Sequence, residues 1–147
     1  MEFQDFEQSG SSNDSTERFN DDLISHDSQG LDVEEREAVD ALPSGSALLI
    51  VQRGPNEGAR FLLDQELTTA GRHPNADIFL DDVTVSRRHA EFRRTGSQFM
   101  VHDLASLNGT YFDGVRIESA LLDDGAEVQI GKFKFTFFAS RADLGDS

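Results

Sequence analysis

The chain has 147 residues, with 28 Asp and Glu against 13 Lys and Arg, for a formal charge of −15. That balance argues against a general nucleic-acid or anionic-membrane binder, which needs a net basic surface. There is no cysteine, which excludes disulfides and thiolate metal sites.

The N-terminus, MEFQDFEQSG, lacks the basic and apolar regions of a secretion signal, and no window approaches the roughly 18 apolar residues of a membrane span. The chain therefore reads as soluble and cytoplasmic. Residues 1–45 hold 13 acids and two bases, Arg18 and Arg36, for a local charge of −11. Large apolar residues are few there, so the segment cannot bury enough surface to offset its ordering entropy and reads as a disordered acidic arm. Within it, LDVEEREAVDAL (31–42) suits a short helix with Asp32 as N-cap and Glu35 three residues on. At about ten residues such a helix is marginal alone.

From Ser46 the pattern turns to strand. ALLIVQR (47–53), RFLL (60–63), DIFL (77–80), AEFRR (90–94), QFMVHD (98–103), TYF (110–112), AEVQI (126–130) and FKFTFFA (133–139) are short apolar or alternating runs. Turn pairs separate them: Pro55-Asn56, Thr95-Gly96, Asn108-Gly109, Asp113-Gly114 and Asp124-Gly125. Many short strands at close spacing predict an all-β sandwich or barrel over 46–140, followed by a flexible tail at 141–147. Phe61, Phe79, Phe92, Phe99, Phe133, Phe135 and Phe137 are the expected core aromatics.

One predicted hairpin carries chemistry. AEFRR and QFMVHD flank the turn TGS (95–97), and pairing Arg94 with Gln98 brings Ser86 level with Ser106 and Thr84 level with Asn108. A slip of one residue leaves these segments adjacent. SRRH (86–89) and SLNGT (106–110) then share one end of the hairpin, gathering Ser86, Arg87, Arg88, Ser106, Asn108 and several loop N–H groups. Guanidinium forks bind phosphate oxygens in bidentate fashion, and hydroxyls and loop amides fill the remaining lone pairs. On the hairpin alone, Arg87 and Arg88 also fit solvated surface charges, His89 fits a structural histidine, and Arg93 and Arg94 fit strand surface residues. No base stands beside an activated nucleophile. The four histidines (26, 73, 89 and 102) show no metal-ligand spacing. The expectation is a binding protein without cofactor or metal, and not an enzyme.

GR at 71–72, SRRH at 86–89 and NGT at 108–110, in this order on a β-rich background, resemble the forkhead-associated (FHA) domain. The resemblance implies an FHA-type β-sandwich of about eleven strands that binds phosphothreonine on loops at one end. It implies that Arg72 and Ser86 bind the phosphate with Arg87 as a further contact, that Asn108 holds the backbone of the bound peptide, and that Gly71, His89 and Gly109 shape the loops. Leu107 stands where the family often has a small hydroxyl residue that contacts phosphate. Its backbone and Ser106 are the expected substitutes.

The segments GSALLIVQRGPNEGARFLLDQ, TTAGRHPNADIFLDDVTVSRRHAEF, SLNGTY and VQIGKFKFTF narrow the resemblance to actinobacterial regulators of the glycogen accumulation regulator and oxoglutarate dehydrogenase inhibitor family. This resemblance implies a protein that inhibits the 2-oxoglutarate dehydrogenase E1 component, or modulates glutamate-metabolism enzymes, while unphosphorylated. A serine/threonine protein kinase then modifies the arm, and the phosphorylated arm folds onto its own FHA pocket. The arm here reads NDSTERFNDDLI (13–24), with Thr16 three residues before Phe19 as the expected phosphorylation site and Ser15 as second choice. A monomer is expected. The alternative is an FHA adaptor that recruits phosphorylated kinases or their substrates and regulates no enzyme directly.

Overall fold

The computed structural model describes residues 31–144. Thr16 and the rest of the arm's first 30 residues lie outside the described residues, as do residues 145–147.

The first described element is helix α1 (Val33–Asp40). Its start is the capping box expected from the sequence: Glu35 N donates to Asp32 Oδ1 (2.7 Å), and Asp32 N donates to Glu35 Oε1 (3.3 Å). From Ala47 onward eleven strands follow: β1 (Ala47–Arg53), β2 (Arg60–Leu63), β3 (Leu67–Gly71), β4 (Ile78–Phe79), β5 (Ala90–Thr95), β6 (Gln98–Asp103), β7 (Thr110–Phe112), β8 (Val115–Ile117), β9 (Ser119–Leu121), β10 (Glu127–Ile130) and β11 (Phe133–Ala139). They form a five-stranded sheet in the order β9-β6-β5-β3-β4 and a six-stranded sheet in the order β2-β1-β11-β10-β7-β8. All pairings are antiparallel except the short β3–β4 edge.

The core lies between the sheets because alternate residues of each strand point to one face. Phe92, Phe99 and Val101 enter from the first sheet, and Leu49, Val128, Phe133, Phe135 and Phe137 from the second. The Phe99 and Phe137 rings meet edge to face across the gap, with centroids 5.6 Å apart. Phe79 departs from the expected core: it lies on edge strand β4 and is 43% exposed. Phe138, on the opposite face of β11 from Phe137, is buried instead.

Two details bear on the site. Thr95 pairs with Gln98, so the hairpin turn is the two residues Gly96-Ser97, and the register is shifted by one from the expected Arg94–Gln98 pairing. Gly96, at φ 64°, supplies the positive φ that a tight turn needs at its first central position. In the next hairpin Asp113 (φ 48°) and Gly114 (φ 87°) join Phe112 to Val115 as a type I′ turn.

Structure also extends past both ends of the predicted domain. Ser140 Oγ donates to Leu42 O (2.9 Å), and Gly45 N donates to the Asp143 carboxylate (2.8 Å), which also accepts from Ser44 Oγ. Residues 141–143 form a short 3-10 turn in place of the expected flexible start of the tail. The segment just before Ser46 is therefore fixed by backbone and side-chain hydrogen bonds to the end of β11.

Candidate anion-binding site

Four loops converge at one end of the sandwich. The loop after β3 begins with Arg72. The loop between β4 and β5 carries Thr84, Ser86, Arg87 and Arg88. The loop between β6 and β7 carries Ser106, Leu107 and Asn108, and the β10–β11 turn carries Gly131 and Lys132.

Direct hydrogen bonds lock them together. Arg72 N donates to Ser86 O (2.9 Å), and Arg72 Nε donates to Val85 O (3.0 Å). Leu107 N donates to Ser86 Oγ (3.0 Å), and Asn108 Nδ2 donates to Thr84 O (2.9 Å). Lys132 N donates to Thr84 Oγ1 (3.0 Å), whose own proton goes to Asp82. Ser86 thus meets Leu107 where the observed register places it, one residue from the expected Ser106.

Gly71 and Gly109 are glycine for different reasons. A Cβ on Gly71 would lie 2.1 Å from Arg87 O, so only glycine lets the end of β3 close on the SRR backbone and deliver Arg72. Gly109 adopts φ 87°, and a Cβ there would also strike the Arg116 side chain, 2.6 Å from Nε.

His89 ties two of the loops from inside. It is fully buried, its Nδ1 accepts from Ser86 N (3.0 Å), and its Nε2 faces Gly109 O (2.9 Å). These partners require the neutral tautomer with the proton on Nε2. Burial lowers the His89 pKa, and the Gly109 carbonyl and Asp103 only partly oppose it. A pKa held below the unfolded value means that the unfolded chain binds the proton more readily. This contribution to stability is complete above about pH 6.5 and is lost as pH falls through the lower folded value. His89→Ala should cost roughly 2–4 kcal/mol at neutral pH, from a lost buried ring and two hydrogen bonds. It should also flatten the fall in urea midpoint on acidification below about pH 6.5. An unchanged midpoint at pH 7.5 would rule out this structural role.

Ser106 corrects an expectation. It is only 7% exposed, its Oγ donates to Asp103, and the same Oγ accepts from Gly109 N (3.0 Å). A hydroxyl engaged in this way braces the loop through Asp103 and Gly109. Burial pushes the Asp103 pKa upward, but hydrogen bonds from Ser106 and Thr110 outweigh it and hold the carboxylate below its usual value. Asp103 therefore stays ionised as the acceptor at the base of the loop.

The outer surface is open for binding. Arg72, Arg87, Leu107 and Asn108 are exposed, and Ser86 is half-buried. Arg72 uses Nε on Val85 O, which aims the guanidinium and leaves its terminal amino groups for a ligand. Ser86 Oγ accepts from Leu107 N and keeps its proton to donate. Together they offer fixed donors of the kind an oxyanion needs. The described residues contain no group of His, Asp and Glu arranged to hold a metal ion, and no helix long and apolar enough to cross a membrane.

A β-sandwich whose end loops carry this arginine, serine and asparagine set has the plan of an FHA domain, and the FHA domain profile matches residues 68–131. The oxoglutarate dehydrogenase inhibitor of Corynebacterium jeikeium is 66% identical over 99 residues, which cover 67% of this chain and 69% of that protein. The glycogen accumulation regulator GarA of Mycolicibacterium smegmatis is 67% identical over 99 residues, covering 67% of this chain but only 63% of the relative's length. The chain belongs to the FHA-domain family that contains these two proteins. Among solved structures, one from a study of phosphothreonine-dependent FHA domain interactions aligns with a TM-score of 0.59 at 29% identity, over 63% of this chain and 95% of that one. Mycobacterium tuberculosis EmbR, solved with a low-affinity phosphopeptide, gives 0.61 at 28% identity, over 82% of this chain and 29% of that one.

Proposed function

We propose that the protein is a phosphothreonine-binding regulator, not an enzyme, that acts in the cytoplasm as a monomer. Unphosphorylated, it inhibits 2-oxoglutarate dehydrogenase through its E1 component, or modulates glutamate-metabolism enzymes. A serine/threonine protein kinase switches it off by modifying Thr16, and the arm then occupies its own pocket. Residues 1–45 act as the regulatory arm, with the FHA domain at 46–140 behind it. The observation that carries this reading is the convergence of Arg72, Ser86, Arg87 and Asn108 on loops fixed to one another, with donors left open. The relatives' names, oxoglutarate dehydrogenase inhibitor and glycogen accumulation regulator, support the metabolic half of the reading.

Fluorescence anisotropy with the peptide 13–24 tests the pocket. The form phosphorylated on Thr16 should bind at about micromolar, and the unphosphorylated form should not bind measurably.

An adaptor that recruits phosphoproteins is favoured by one observation: the FHA domain of FhaA, 28% identical to this chain, has been solved in complex with the intracellular domain of another protein. Capture with unphosphorylated protein as bait separates the readings. Recovery of 2-oxoglutarate dehydrogenase E1 by the wild type and by Thr16→Ala, but not by protein phosphorylated on Thr16, is the expected result. Recovery of phosphoproteins alone would transfer the conclusion to the adaptor.

A further inference from the structure

Arg116 lies beside the pocket and has no assigned task. It sits on β8, paired across the hairpin with Tyr111, and is exposed. Its side chain crosses the face of Gly109, so close that a Cβ there would be 2.6 Å from Nε and 2.9 Å from Cζ. Gly109 is the residue after Asn108, so the guanidinium stands within one residue of the side chain proposed to hold a bound peptide.

Among the described residues the Arg116 side chain makes no hydrogen bond or ion pair, whereas Arg93, Lys134 and Arg141 each reach a carboxylate. Lys132 bounds a cleft of about 490 Å³ with Thr84, Asn108 and Tyr111. Arg116 is thus an exposed cation against Gly109 that no carboxylate among the described residues pairs with. In a chain with 28 acids and 13 bases, such a position calls for an anion from elsewhere.

The geometry points to Arg116 as a specificity-determining residue that binds an acidic side chain next to the phosphothreonine, and in the protein's own arm that residue is Glu17. The inference rests on the phosphothreonine reading of the pocket. If Asn108 holds the backbone of a bound peptide, Gly109 and Arg116 lie beside a residue next to the phosphothreonine. Of the two neighbours of Thr16, Ser15 is neutral and Glu17 is an acid. A guanidinium can hold a carboxylate with two parallel hydrogen bonds. The contact is at the surface, so its effect should be modest and should shrink with salt.

The test is a double-mutant cycle on the full-length protein, read by anisotropy with the peptide 13–24 phosphorylated on Thr16. Arg116→Ala should weaken binding about fivefold at low salt, Arg116→Glu should weaken it further, and Arg116→Lys should restore most of it. With the Glu17→Gln peptide, wild type and Arg116→Ala should bind alike. An equal loss with both peptides would mean that Arg116 only braces Gly109, and no loss with either would mean that it faces solvent. Each of these outcomes overturns the assignment while leaving the pocket intact. If wild type binds neither phosphopeptide, the pocket reading fails first and takes the Arg116 assignment with it.

Discussion

Arg72→Ala should reduce phosphopeptide binding by about a hundredfold or more while leaving the thermal midpoint nearly unchanged. The reasoning starts from what the arginine does in the free protein. Its side chain makes one hydrogen bond, Nε to Val85 O, and its position is fixed by the backbone bond from Arg72 N to Ser86 O. Alanine keeps the backbone bond and loses only the side-chain one, so the loops stay joined. A dianionic phosphate, by contrast, loses a charged fork. One charge-assisted hydrogen bond is worth roughly 1.5–3 kcal/mol, and a fork held in place in advance belongs at or above the top of that range. Ser86→Ala should cost less binding and slightly more stability, because Leu107 N would lose its acceptor. Circular dichroism melts beside the titrations separate the two effects. Normal affinity for Arg72→Ala with an intact fold would show that the phosphate binds elsewhere.

That prediction depends on a placement that the local sequence pattern did not provide. Turn chemistry between AEFRR and QFMVHD was enough to bring SRRH to SLNGT, because pairing two strands across a short turn leaves little freedom. The register was off by one, and the contact survived. Arg72 was reachable only by family resemblance. It is delivered by β3, LTTAG, whose inward side chains are Thr68 and Ala70, too small and polar to stand out as a strand. The strands at 115–117 and 119–121 are short and mostly exposed, VRI and SAL, and carry no apolar run to mark them, so Arg116 goes unmarked with them. Ser106 shows a different limit. A hydroxyl beside arginines looks like a ligand for an anion, and only the positions of Asp103 and Gly109 reveal that it is already committed. Residue type places Phe79 in the core, whereas its two-residue strand lies at a sheet edge.

Phosphorylation of Thr16 should convert the free protein into a closed monomer that no longer holds its enzyme partner. The modification adds about −1.5 to −2 charge and three strong acceptor oxygens. Thr16 stands 30 residues before Ser46, where the strand-rich domain begins. Even with Val33–Asp40 helical, a chain of that length extends to roughly 80 Å, against a radius near 13 Å for a domain of about 100 residues. Reach is therefore no obstacle. Tethering presents the phosphate at an effective concentration of order millimolar or below. If the pocket binds this phosphopeptide at about micromolar, the closed state is favoured by up to ~4 kcal/mol, roughly a thousandfold. Without the phosphate, the acidic arm retains only a diffuse attraction to the arginine loops, which physiological salt screens over about 8 Å. Small-angle scattering should show kinase-treated wild type shrinking in radius of gyration at constant mass. Arg72→Ala should stay as large after phosphorylation as before, and Thr16→Ala should neither shrink nor release its partner. An increase in mass on phosphorylation would indicate arm exchange between molecules. An unchanged radius in phosphorylated wild type would mean that the pocket serves other proteins' phosphothreonines, and that the arm's modification acts by some route other than closure.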